Sequence, residues 1–176
     1  MNVILGVSGS ISAYKAVDIM RMFQKNGHGV SVVLTRNACR FIAPLTFETF
    51  APGRVFRDMF APSQDPLLHL SLGRDHDLLL VAPASANIIA KMACGIADDL
   101  LSTLAVAFAK KTVVAPAMNT QMYASAVVTE NLERLRRRGV AVIEPEEGSL
   151  ACAATGKGRL PAVEVIYEFC LGVLHV

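Results

Sequence analysis

The sequence predicts a doubly wound α/β fold, in which one parallel sheet is covered by helices on both faces, and three observations carry that prediction. First, residues 3–7, 30–34, 78–82, 112–115 and 140–143 are short, nearly continuous apolar runs without polar alternation. Strands buried on both faces of a parallel sheet read this way. Second, helix-like segments separate these runs, so right-handed crossovers can join parallel neighbours. Third, the 176 residues are 53% hydrophobic and only 18% charged, with a mean hydropathy of +0.44. A disordered chain is far less apolar. The surplus suits a fully covered sheet together with contacts between subunits.

Taken in order, residues 3–7 form the first strand, and Ser8-Gly9-Ser10-Ile11-Ser12 is a loop. Ala13, Val17, Met20, Met22 and Phe23 then recur at helical spacing until Gly27. The second strand, 30–34, ends in Thr35-Arg36-Asn37. A helical stretch around 38–41 is cut by Pro44. Residues 52–66 carry three prolines and read as an exposed excursion with a short strand at Val55-Phe56. The runs at 78–82 and 112–115 each lead through a proline-containing turn, Pro83-Ala-Ser-Ala-Asn87 and Pro116-Ala-Met-Asn119, into a helix. The basic cluster at 134–138 precedes Gly139, where cations suit a helix C-terminus, and reads as a solvated face. The length fits one domain, 1–176, without repeats or a linker.

Several function classes are disfavoured. A membrane span needs about 20 consecutive apolar residues, and the runs here are shorter. The N-terminus lacks the basic region of a secretory signal, so a cytoplasmic location is expected. A net charge of +2 gives no case for nucleic acid. Cys39, Cys94, Cys152 and Cys170 form no C-x-x-C pair, so free thiols are expected and no metal site is predicted.

In a doubly wound sheet the ligand lies beyond the carboxyl ends of the strands. Hydroxyl and amide side chains stand at four of these ends: 8–12, 35–37, 83–87 and 116–119. Ser12 and Ala13 stand where a dinucleotide fingerprint wants its last glycine, and Thr35-Arg36 replaces the acidic ribose ligand, so an NAD site is disfavoured. A hydroxyl-rich loop at a helix N-terminus aims backbone N–H groups at one phosphate, which suits a mononucleotide such as FMN. Such loops also serve merely as caps. Met118 and Met122, at i and i+4, read as core fillers, while Asn119 between them is harder to explain as core and could grip a carboxylate. A lone histidine such as His69 is more often structural than a base. Cys152 lies in a glycine-rich, charged segment with Lys157 and Arg159, typical of a lid, whereas the other cysteines sit in apolar patterns.

These residues resemble those of a known family. Gly9-Ser-Ile-Ser-Ala-Tyr-Lys15, Ala82-Pro-Ala-Ser-Ala-Asn87, Gly95-Ile-Ala-Asp-Asp-Leu-Leu-Ser-Thr103, Pro116-Ala-Met-Asn-Thr-Gln-Met-Tyr123 and Leu150-Ala-Cys152 with Gly158-Arg-Leu160 are similar to the phosphopantothenoylcysteine decarboxylases, which are FMN-dependent cysteine decarboxylase flavoproteins. The resemblance implies decarboxylation of 4'-phospho-N-pantothenoylcysteine to 4'-phosphopantetheine in coenzyme A biosynthesis. In that chemistry the flavin oxidises the cysteine moiety, CO2 leaves, and the resulting enethiol is reduced again. By the same resemblance His69 assists as the base at the thiol, Asn119 and Met122 hold the substrate, and Cys152 supplies the last proton. FMN contacts are implied for Gly9, Ser10, Ile11, Thr35, Asn37, Ser85, Ala86, Asn87, Ile88 and Ala117, and a phosphate contact for Arg74.

The family further implies a homo-oligomer, a trimer or a dodecamer built of trimers, with FMN near the subunit boundary. Many bacterial members are fused to a phosphopantothenoylcysteine synthetase. Within the wider superfamily, the peptidyl-cysteine decarboxylases stop at the enethiol and lack the cysteine. The Pro-x-Met-Asn motif and Cys152 argue against a flavin prenyltransferase, and His69, Asn119 and Cys152 together argue against a non-catalytic FMN-binding regulatory subunit. Three departures from the family pattern stand out: Ala153 where glycine is usual, Tyr123 where tryptophan is common, and Arg74-Asp75-His76-Asp77. Tyr123 keeps an aromatic face, so little change is expected from it.

Overall fold

The computed structural model describes residues 1–61, 65–149 and 155–174. The chain begins with β1 (Asn2–Val7), a 3-10 turn (Ile11–Tyr14), α1 (Lys15–Lys25) and β2 (Gly29–Leu34). A second 3-10 turn (Ala38–Arg40), α2 (Pro44–Glu48) and β3 (Val55–Phe56) follow, then α3 (Leu68–Asp75) and β4 (Leu78–Ala84). Next come α4 (Ala86–Cys94), α5 (Leu100–Ala107), β5 (Lys111–Pro116), α6 (Thr120–Tyr123), α7 (Ala126–Arg137) and β6 (Ala141–Val142). The hairpin strands β7 (Glu146–Ser149) and β8 (Thr155–Arg159) precede the closing helix α8 (Val163–Leu174).

Six parallel strands lie in the order β3-β2-β1-β4-β5-β6. The chain grows outward from β1 through β2 to β3, then returns to the other side of β1 and grows through β4 to β6. Strand order therefore reverses between β1 and β4, and that reversal opens a crevice at their carboxyl ends.

The predicted two-sided burial holds residue by residue. Val3, Leu5, Val7, Leu78, Leu80 and Ala82 face one core with Ile19, Met20 and Phe23 of α1 and Ile166 and Cys170 of α8. Ile4, Leu79, Val81 and Val114 face the other, against Ile88 and Ile89 of α4, Leu101 and Leu104 of α5, and Leu132 and Leu135 of α7. The segment 95–103 is a helix-to-helix corner. Gly95, at φ 72°, ends α4 in the left-handed region. The Asp99 carboxylate and Ser102 hydroxyl cap α5 reciprocally, and Lys91 bridges Asp98 and Asp99 at 2.6 and 2.7 Å.

The structure departs from the sequence reading in four places. Pro44 begins α2 rather than breaking a helix, because its fixed φ and missing N–H suit a first helical turn. The strand expected over 140–143 pairs only at Ala141 and Val142. The segment read as a lid loop is flanked by the antiparallel strands β7 and β8. The basic cluster is also more than a solvated face: Arg136 pairs with Glu133 and Glu144, and Arg138 donates to the Ala93 carbonyl at 2.8 Å. Among the described residues no helix is long and apolar enough to cross a membrane.

Candidate active site

The crevice at the β1/β4 reversal is a cavity of about 470 Å³, within the size range of small-molecule sites. Its walls come from the loop after β1 (Gly9, Ser10, Ile11, Ser12), the start of α4 (Ser85, Ala86), the segment after β5 (Ala117, Met118, Asn119, Met122), and the end of β8 (Gly158, Arg159). Tyr14 and Phe41 complete it.

Short polar side chains hold these loops together. The buried Ser8 hydroxyl donates to the Pro83 carbonyl at 2.7 Å and accepts from the Ser85 N–H at 2.8 Å, tying the first loop to the start of α4. Ser10 accepts from the Ser12 N–H and donates to the Ala117 carbonyl at 3.2 Å, tying it to the segment after β5. Ser85 caps α4 by accepting from the Ile88 N–H. Asn37 packs against Gly9, where a Cβ would stand 2.6 Å from the Asn37 Cβ, so the close approach of the two loops requires glycine. The crevice therefore receives the N-terminal end of α4, with its positive partial charge.

Of the residues singled out from sequence, Gly9, Ser10, Ile11, Ser85, Ala86, Ala117, Asn119 and Met122 line this cavity. Thr35 and Asn37 stand beside it: Thr35 accepts from the Ala38 N–H at 3.1 Å, and Asn37 backs Gly9. Asn87 is exposed on the first turn of α4, and the Ile88 side chain is buried in the core beneath it. Asn119 is half-buried, and its Oδ1 accepts from the Gln121 N–H at 2.8 Å, capping α6. Met122, read as a core filler, is 48% exposed at the crevice mouth.

Two candidates lie elsewhere, and a third falls outside the described residues. His69 is half-buried on the first turn of α3 and does not line this crevice. Arg74 ends α3 beside Asp75, whose carbonyl accepts from Asn2 at the start of β1, so Arg74 belongs to the opposite end of the sheet. It is not brought to the crevice of its own chain because α3 runs antiparallel to the strands. Cys152 and Ala153 lie outside the described residues. Of the other cysteines, Cys170 is buried and its thiol is pushed up to about 12 by desolvation, but Cys94 is exposed, unlike the expectation from its apolar pattern.

Sequence reasoning missed the part played by Tyr14, Phe41, Met118, Gly158 and Arg159 as lining. The hairpin brings the last two. The Met118 N–H donates to the Gly158 carbonyl at 3.0 Å. A Cβ on Gly158, at φ 150°, would stand 2.3 Å from the Met118 carbonyl oxygen. Glu144 reinforces the contact: its carboxylate accepts from the Tyr123 hydroxyl at 2.9 Å and from Lys157 at 2.8 Å, and it pairs with Arg136. The Lys157 ammonium holds the Glu144 carboxyl below its usual range, while burial and the Glu144 carboxylate push the Tyr123 hydroxyl up to about 12. Tyr123 thus makes a bond through its hydroxyl in addition to presenting an aromatic face.

The sheet order and the serine-rich loops at its reversal define a doubly wound nucleotide-type binding protein. The chain belongs to the Flavoprotein family, which it matches over residues 1–175. It is 43% identical over 168 residues to the coenzyme A biosynthesis bifunctional protein CoaBC of Bacillus subtilis, covering 95% of this chain and 41% of that protein. With the CoaBC protein of Haemophilus influenzae it shares 37% identity over 167 residues, covering 94% and 42%. The chain thus spans about two fifths of the length of these relatives. Among solved structures it is similar to a cysteine-to-serine mutant of PPC decarboxylase complexed with pantothenoylaminoethenethiol, with a TM-score of 0.87, 30% identity, and 99% and 98% of the two chains covered. It is also similar to HAL3 from Cryptococcus neoformans (TM-score 0.85, 30% identity, 99% and 96% covered) and to the FMN-dependent cysteine decarboxylase SpaF (TM-score 0.84, 28% identity, 100% and 98% covered).

Proposed function

We propose that this chain is an FMN-binding domain that decarboxylates 4'-phospho-N-pantothenoylcysteine to 4'-phosphopantetheine. The observation that carries the reading is the crevice itself. It sets the α4 N-terminus and the serine loops beside Asn119 and Met122, in a fold that superposes along nearly its whole length on PPC decarboxylase. The residues present fit the flavin. Backbone N–H groups at Ile11 and Ala86 suit its phosphate, and Ile11, Tyr14, Phe41, Met118 and Met122 give an apolar surface for a planar ring. When bound, FMN would supply reversible two-electron oxidation.

In this reading Asn119, positioned at the start of α6 by its cap, binds the substrate carboxylate. Met118 and Met122 shape the surface around it. Cys152 donates the proton that completes reduction of the enethiol. His69 acts at the substrate thiol from a neighbouring copy, because it stands outside the crevice of its own chain. The exposed apolar rim of Ile11, Tyr14, Phe41 and Met122 supports such a contact, and a trimer or dodecamer is the assembly proposed. A synthetase domain, fused or separate, is the proposed partner that supplies the substrate.

The purified protein is expected to show a flavin spectrum and to release CO2 from 4'-phospho-N-pantothenoylcysteine, followed by mass spectrometry. A colourless protein that FMN cannot reconstitute would reject the reading. Cys152→Ser is expected to stop at the decarboxylated enethiol. An unchanged product would remove Cys152 from the mechanism, and accumulation of enethiol by the unaltered protein would favour a peptidyl-cysteine decarboxylase activity.

A further inference from the structure

Arg159 is the one charged side chain among the described residues that line the crevice. It is exposed, and no ion pair or hydrogen bond holds it among the described residues. Its neighbours on β8 and β7 are engaged otherwise. Lys157 is bound to Glu144. Glu146, which stands opposite Arg159 in the hairpin register, turns its carboxylate to the Ala162 N–H at 2.9 Å. The Arg159 side chain lies across Gly148, where a Cβ would come within 3.2 Å of Nη1 and 3.3 Å of Cδ. Its backbone is fixed on the Asn119 side of the crevice, since the preceding residue, Gly158, accepts from the Met118 N–H.

A guanidinium with no partner among the described residues, placed in a binding crevice on a braced strand, is arranged to meet an oxyanion, and its planar fork matches carboxylate or phosphate bidentately. We propose that Arg159 binds an oxyanion of the substrate and thereby sets specificity for it. The proposal rests on the function given above, whose substrate carries two such groups, a carboxylate and a phosphate.

Two ligands separate the sources. N-pantothenoylcysteine has the carboxylate alone, and 4'-phosphopantetheine has the phosphate alone. Their binding to the FMN-loaded protein is measured by titration calorimetry for the unaltered protein, Arg159→Gln, Arg159→Lys and Gly148→Ala. Loss of a charge-assisted contact is expected to weaken one ligand by roughly 10- to 100-fold in Arg159→Gln. The ligand that weakens identifies the group read. Arg159→Lys is expected to recover only part of the loss, and Gly148→Ala, which crowds the guanidinium, to weaken the same ligand to a smaller degree. Affinities unchanged for both ligands in Arg159→Gln would overturn the inference, as would a variant that loses its flavin spectrum instead. If the unaltered protein binds neither ligand, the proposed function fails, and this inference fails with it.

Discussion

His76 is buried between α3 and β2, with Nδ1 2.8 Å from the Leu72 carbonyl and Nε2 2.8 Å from the Ser31 hydroxyl. A carbonyl only accepts, so Nδ1 carries the hydrogen and Nε2 accepts from Ser31. Desolvation favours this neutral form and lowers the imidazole from its ordinary 6.5. The unfolded chain therefore binds the proton more readily. The contribution of His76 to stability is complete above about pH 6.5 and is lost as pH falls through the lowered folded value. Urea unfolding across this window should show the decline. His76→Gln should flatten it and cost about 1–2 kcal/mol at neutral pH through the buried hydrogen bonds it disturbs. An unaltered pH profile in the variant would assign the dependence to other groups.

At the scale of elements, the β7–β8 hairpin is strapped onto the segment that carries Asn119. Gly158 makes the backbone bridge to Met118, and Glu144 joins β8 to α6 and α7. Gly158→Ala would place a Cβ against the Met118 carbonyl at a φ that L residues rarely adopt. It is expected to destabilise the protein by about 1–3 kcal/mol and to speed amide exchange at Met118. Glu144→Gln acts more gently, since exposed ion pairs contribute at most ~1 kcal/mol each. Its expected signature is a KM raised roughly fivefold with kcat little changed, because about 1 kcal/mol of strap stability is felt by substrate capture. Tyr123→Phe should shift KM in the same direction by less, and a fall in kcat alone would place the network in the chemistry instead.

For the whole molecule, the informative feature is apolar surface left uncovered. Ile11 and Tyr14 are each 59% exposed, Phe41 51% and Leu45 69%, all near the crevice mouth or the α2 segment beside it. Ile11, Tyr14 and Phe41 share the crevice wall, and exposed large apolar side chains gathered in this way are ordinarily covered by a partner. Phe41→Glu combined with Leu45→Glu is expected to sediment as a monomer while the unaltered protein sediments as a closed assembly. A monomeric unaltered protein would leave His69 without a crevice to serve.

The sequence by itself determined the doubly wound sheet, because strands covered on both faces must be apolar throughout, and period and length reveal that locally. It also placed Gly9, Ser10, Ser85, Ala117 and Asn119 at the crevice, since every parallel strand delivers its following loop to the same end of the sheet. What only the tertiary structure decided is distant contact. Residues 149–160 read as a loop because glycines and charges carry no strand signal, yet pairing of β7 with β8 gives those glycines a partner and sets Gly158 and Arg159 in the wall. Likewise nothing local shows that Arg74 stands at the opposite end of the sheet from the crevice while Tyr123 reaches Glu144. Strand patterning is a property of neighbours in sequence; the bonds that complete this site join residues whose proximity exists only after the chain has folded.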